Sequence, residues 1–294
     1  MANNTILVAE RSRDIGNFMV GRLLPFRKKR QVGPLTFIDH MGPSTIGPEK
    51  YMDVDQHPHI GLCTLTYLLE GEIEHRDSTG AVQIIRSRDV GLMTAGKGVA
   101  HTERTPEYQR TGADYPVHGY QVWIALPKEK EEMEPRFDFV PKDNLPNWTS
   151  DGVEFRLIAG EAYGKRAPLP VHSEMFMLEV SAAERTDIRI AGELQGEIAI
   201  VVTNGAIKVE EQEVEAGNML ISKTEDHCHI CLSSGSRVLF FGGPAFDEER
   251  YRHWNFVSHS KQRLRKAVDD WQAKRFPKVP GDDTYIPSPP IRNQ

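Results

Sequence analysis

Apolar residues are not spread evenly along this chain. They come in short runs rich in Val, Ile, Thr, Leu and Phe, at 62–69, 117–125, 175–180, 198–202 and 237–241, divided by Gly, Pro, Asn and Asp. Short apolar or alternating runs bounded by turn residues read as strands. Frequent strands with no long helices between them predict an all-β fold, a sandwich or barrel. One helix stands apart near the end, where Leu264, Val268 and Trp271 recur at four and three residues and share a face. Ser258 or Ser260 would cap its start, and Pro277 lies beyond its end. The tail after it, with Pro277, Pro280, Pro287, Pro289 and Pro290, is expected to run extended as a strap over the surface.

Two stretches share a spacing. Gly71-Glu72-Ile73 precedes Arg88-Asp89-Val90-Gly91-Leu92-Met93, and Gly205-Ala206-Ile207 precedes Ala216-Gly217-Asn218-Met219-Leu220-Ile221. Each reads as a hairpin turn, a return strand and a turn into another strand, so a duplicated β-barrel unit is expected. Charges and prolines gather between 127 and 148, including Lys128-Glu129-Lys130-Glu131-Glu132. The boundary is placed there, giving domains 1–135 and 136–294, with the helix and tail in the second.

Composition narrows the function. With 36 basic and 42 acidic residues the net charge is −6, which argues against a globally basic nucleic-acid binder, and 39% apolar residues suffice for a core. Cys63, Cys228 and Cys231 are too few for a disulfide framework, and no apolar run is long enough to cross a bilayer, so a cytoplasmic protein is expected. The run Arg27-Lys28-Lys29-Arg30 reads as a solvated loop.

The sharpest chemical signal is His57-Pro58-His59, followed far along the chain by His101-Thr102-Glu103. Residues two apart on a strand face the same way, about 6.6 Å apart along it. Each pair can therefore aim both side chains into one cavity, and the hairpin between them can bring the two strands together. Three imidazoles and a carboxylate suit one divalent ion of Fe, Mn, Co, Ni, Cu or Zn. Pro58 lacks an amide donor and fits an edge or bulged strand, while Gly96 and Gly98 shape the turn before His101.

These residues resemble the pirin family of two-domain cupins. The matching stretches are His57-Pro58-His59-Ile60-Gly61, Thr64 through Gly71, Glu74-His75-Arg76-Asp77-Ser78, Met93-Thr94-Ala95-Gly96-Lys97-Gly98 and His101-Thr102-Glu103. Gln121-Val122-Trp123, Leu126-Pro127, Trp254-Asn255-Phe256-Val257-Ser258 and Phe276-Pro277-Lys278-Val279-Pro280-Gly281 extend the match. The resemblance implies two cupin (jelly-roll) barrels, with one metal, usually iron, held in the N-terminal barrel by His57, His59, His101 and Glu103. It also implies two kinds of activity: opening flavonols such as quercetin with dioxygen, or iron-dependent regulation of a protein partner. Where many relatives carry a Glu after the His-Pro-His stretch, this chain has Cys63.

Counting back from Gly205 puts Ala191 and Glu193 where the first half has its histidine pair, so the second barrel is expected to lack a metal. The ligand-rich stretch Asp226-His227-Cys228-His229-Ile230-Cys231 then lacks upstream partners and reads as strand residues. In a six-coordinate ion the four ligands leave two positions, enough for a flavonol oxygen and dioxygen, with Glu103 as catalytic base. A tetrahedral zinc would have none left. Gln121 and Trp123 share a strand face, where they could orient and wall an aromatic ligand, whereas His75 and His118 read as satisfied structural histidines. A monomer with a small aromatic substrate, and no membrane or nucleic-acid partner, is the expectation.

Overall fold

The structure is a computed structural model that describes residues 5–15, 18–48, 50–222 and 229–291. The apolar runs fold as strands, among them Leu62–Glu70, Tyr115–Ala125, Phe176–Ala182, Glu197–Asn204 and Ser236–Gly243. Their β-branched and aromatic side chains pack on a pleated surface while the backbone groups pair in ladders. The described residues group into two compact units, each a jelly-roll barrel of a larger and a smaller sheet.

The first unit is built on residues 39–142. Its larger sheet runs Arg136–Val140, Val90–Thr94, Leu62–Glu70, Tyr115–Ala125 and Leu35–Ile46 in that order. Its smaller sheet runs Asp53–His59, Val99–Arg104, Glu72–Asp77 and Val82–Arg86, each strand antiparallel to the next.

The second unit, built on residues 143–246 with the N-terminal strand Thr5–Ala9, repeats this plan. Its smaller sheet is Thr186–Arg189, His229–Leu232, Ala206–Val209 and Gln212–Glu215. Among the described residues its core is an aliphatic and aromatic cluster that includes Ile188, Ile200, Ile207, Ile230, Leu232 and Phe240, all buried. The strand corresponding to Asp53–His59 is Thr186–Arg189, and Ala191 and Glu193, the positions counted back from Gly205, follow its end. Residues 190–196 link that strand to Glu197–Asn204, where residues 60 and 61 make the link in the first barrel.

The helix Lys261–Gln272 forms as expected. Ser260 caps it by accepting from Arg263 N at 3.3 Å, and Leu264, Ala267, Val268 and Trp271 make its buried face. The helix and tail, expected with the second half, instead group with residues 39–142. That face packs on Ile60, Ala100 and Phe256, and buried Glu131 anchors the approach to it. Glu131 accepts from Ser258 Oγ at 2.7 Å and from His259 N at 2.9 Å, and it pairs with buried Arg250 at 3.3 Å. Among the described residues no helix is long and apolar enough to cross a membrane.

Candidate metal centre

The smaller sheet of the first barrel brings the two sequence pairs together. His101 is the cross-strand partner of His57 on one side and of Asp77 on the other, and Glu103 is the partner of His75. Partners in register point to the same face, so His57, His75, Asp77, His101 and Glu103 share the barrel interior. The turn before His101 needs glycine: Gly96 has φ +50°, and a Cβ there would meet the Met133 carbonyl at 2.0 Å. Gly61, after His59, is placed likewise against the Val257 carbonyl.

One donor nitrogen from each of His57, His59 and His101 falls within 4.8 Å of the others, and among the described residues this is the one such group. All three rings are buried, with centroids 4.3 Å apart for His57 and His101 and 5.0 Å for His59 and His101. His57 Nδ1 lies 2.8 Å from the Asp55 carbonyl, and His59 Nδ1 lies 3.2 Å from that of Asn255. A carbonyl only accepts, so each Nδ1 carries the proton and each Nε2 offers a lone pair. His101 is different: neither ring nitrogen has a hydrogen-bond partner.

Burial lowers all three histidines, His57 to about 4 and the other two well below the ordinary value, with like charge from neighbouring histidines adding to it. They are neutral at physiological pH, the state in which imidazole binds metal. Donor type, convergence and the two orphaned nitrogens of His101 all fit a divalent transition metal.

Glu103 stands apart from the tight group of nitrogens. It is buried, burial raises its carboxyl above the ordinary range, and the side chains of Gln121 and Thr66 hydrogen-bond to it. Gln121 therefore orients the carboxylate, while Trp123 meets His59 edge-on with centroids 5.0 Å apart.

His75, expected to be an isolated structural histidine, lies at the centre. Its ring is 5.3 Å from that of His101, it stacks on Phe137, and its Nε2 is 3.2 Å from Asp77 Oδ2. Asp77 is fully buried, which favours its neutral form, yet bonds from His75 and Thr79 hold its carboxyl below the ordinary range. His75 and Asp77 are two apart and so share a face of their strand, and the register of Glu72–Asp77 on Val99–Arg104 is what turns that face to the centre. His118 lies elsewhere, 2.8 Å from His40.

Cys63 is buried, its Sγ is 3.5 Å from Thr94 Oγ1, and burial pushes the thiol up to about 12. In the second barrel, residues 226–228 of the ligand-rich stretch lie outside the described residues, His229 is exposed and Cys231 half-buried beside Arg185.

Residues 17–124 match the Pirin family model, and residues 176–277 match the Pirin C-terminal cupin domain. A pirin-like protein of Caulobacter vibrioides is 40% identical over 95% of this chain and 97% of its own length. The crystal structure of a quercetin 2,3-dioxygenase from Acinetobacter baumannii superposes with a TM-score of 0.91 at 34% identity, covering 99% of this chain and 96% of that one. A bacterial pirin from Escherichia coli, solved in complex with nickel(II), shares the fold at a TM-score of 0.65 and 21% identity, over 82% of this chain and all of its own.

Proposed function

Because the chain belongs to the pirin family, we propose that its first barrel holds one divalent transition metal and opens the heterocyclic ring of flavonols such as quercetin with dioxygen. The activity is the one named for the 34% identical structural relative. His57, His59 and His101 are the ligands in this reading, with Glu103 the fourth, and iron(II) is the ion. The observation that carries it is His101, a fully buried imidazole whose two nitrogens have no hydrogen-bond partner, set between two other neutral imidazoles. A buried polar group left unpaired costs about 1–3 kcal/mol, and a cation removes that cost.

When bound, the ion supplies Lewis acidity and a redox-active centre for dioxygen chemistry. Three neutral imidazoles and one carboxylate leave a divalent ion with a net charge of about +1, which favours an anionic oxygen such as a flavonolate. The protein's part is to make and hold that anion. Glu103, aimed by Gln121 and Thr66, takes the flavonol hydroxyl proton as it gives up its place as a ligand to the flavonolate oxygen. Trp123 beside His59 and Phe137 over His75 offer flat apolar walls for an aromatic guest. Overall, both oxygen atoms of dioxygen enter the products, and one ring carbon leaves as carbon monoxide.

The test is quercetin bleaching by iron-loaded protein with matching dioxygen uptake and carbon monoxide release. Loss of all three signals in His57→Ala and Glu103→Ala is the expected result. Fully loaded protein that leaves quercetin intact would overturn the enzyme reading in favour of iron-dependent partner binding.

A further inference from the structure

Asp53–His59 is the edge strand of its sheet, so one row of its backbone groups has no neighbouring strand. Residues from the C-terminal part of the chain occupy that row. Val257 N donates to the Ile60 carbonyl at 3.2 Å, and Ile286 N donates to the Gln56 carbonyl at 3.0 Å. Gln56, only 3% exposed, commits every polar group it has to the tail. Its amide N–H donates to Thr284 Oγ1 at 3.0 Å, its Nε2 donates to the Thr284 carbonyl at 2.9 Å, and its Oε1 accepts from Val279 N at 2.7 Å.

The ladder explains why this residue is available. Between His101 and Glu103 the partner changes from His57 to Val54, so Asp53–His59 carries an extra residue there and bulges. The bulge contains Asp55 and Gln56, and the Asp55 carbonyl is the one that accepts from His57 Nδ1 at 2.8 Å. Arg104, at the end of the strand bearing His101 and Glu103, ties the same place together. Its Nη2 reaches Asp282 at 2.8 Å and both Asp55 and Thr284 at 3.2 Å. From behind, the helix fixes the tail: Trp271 Nε1 donates to the Ile286 carbonyl at 2.8 Å, and Tyr285 stacks on Trp271 at 4.7 Å.

We propose that Gln56 is a positioning residue for the metal centre, through which Val279, Thr284 and Ile286 of the tail set the orientation of His57. The inference rests on the reading of His57 as a ligand. Clasping Gln56 fixes the Asp55–Gln56 peptide, the peptide fixes the carbonyl, and the carbonyl holds the His57 ring with Nε2 toward the other histidines. Asn255 does the same for His59 directly. Hydrogen bonds behind a metal ligand set its orientation and basicity, and removing them lowers metal affinity by about 10–100-fold.

The experiment compares full-length wild type, Gln56→Ala, Gln56→Glu and Thr284→Val by competition for cobalt(II) and nickel(II) against a chromophoric chelator. The visible spectrum of the cobalt form and the thermal midpoint of metal-free protein are recorded alongside. Gln56→Ala should weaken binding about tenfold or more and alter the cobalt spectrum. Gln56→Glu, which keeps the acceptor for Val279, should recover part of the loss. Thr284→Val removes only a hydroxyl, so it decides the matter by the same readouts if Gln56→Ala does not fold. Gln272→Ala, which takes away the tail contact to Ser288 at 3.3 Å, should leave the affinity at the wild-type value. A folded variant that binds within about twofold of wild type with an unchanged spectrum makes the clasp merely structural and overturns the inference. A wild type that binds neither ion overturns the reading of the centre instead.

Discussion

The two barrels share a strand order and differ in what that order encloses. In the first, the two strands that pair His57 with His101 carry imidazoles into the interior, whereas the corresponding strands of the second pair Ile188 with Ile230. The second interior is a continuous hydrophobic cluster stabilised by removal of apolar surface from water. The first gives up that stabilisation at its centre, where imidazoles and carboxyls are buried at a cost that only specific partners offset. Hydrogen bonds offset it for Asp77, His75 and Glu103, but none reaches the nitrogens of His101. One architecture thus encloses a hydrophobic core in one half and a cluster of neutral imidazoles in the other.

Substitutions on corresponding strands of the two barrels should break the symmetry of that picture. The largest effect is expected for His101→Ala, which should lower metal affinity by more than about 100-fold, read by chelator competition; retained affinity would place the ion elsewhere. Next, Ile230→Ala in the second barrel should cost about 2–5 kcal/mol in denaturant unfolding and leave the metal content per chain unchanged. A smaller effect of opposite sign should follow His101→Leu in metal-free protein. Relieving two unpaired nitrogens should stabilise it by about 1–3 kcal/mol while abolishing metal binding, and a destabilised apo-protein would show that His101 has partners already.

The smallest difference concerns the thiols. With its pKa pushed up to about 12 by burial, Cys63 has almost no thiolate at pH 8, and raising the pH to about 9 should not make it react. Iodoacetamide followed by peptide mass spectrometry should therefore label Cys231 well before Cys63. Early labelling of Cys63 would mean that Leu62–Glu70 opens readily.

Much of this was legible in the sequence because its signals are local. A period of two put His57 with His59 and His101 with Glu103, and a period near 3.6 gave the helix face at Leu264, Val268 and Trp271. What local spacing could not carry was anything set by register between distant strands. His75 and Asp77 join the centre only through their pairing with Glu103 and His101, and Gln121 reaches Glu103 from another sheet. The place of the helix and tail was hidden for a similar reason. Their partners Ile60, Ala100 and Gln56 lie some 200 residues upstream, and nothing near Trp271 in sequence announces them.

Anomalous diffraction at the metal absorption edge, from crystals of protein purified without added ions, tests the central claim most directly. The account predicts one peak per chain, bonded to His57, His59, His101 and Glu103 and with at least one coordination position open. A peak at any other place, or an ion whose shell the protein closes completely, would contradict it.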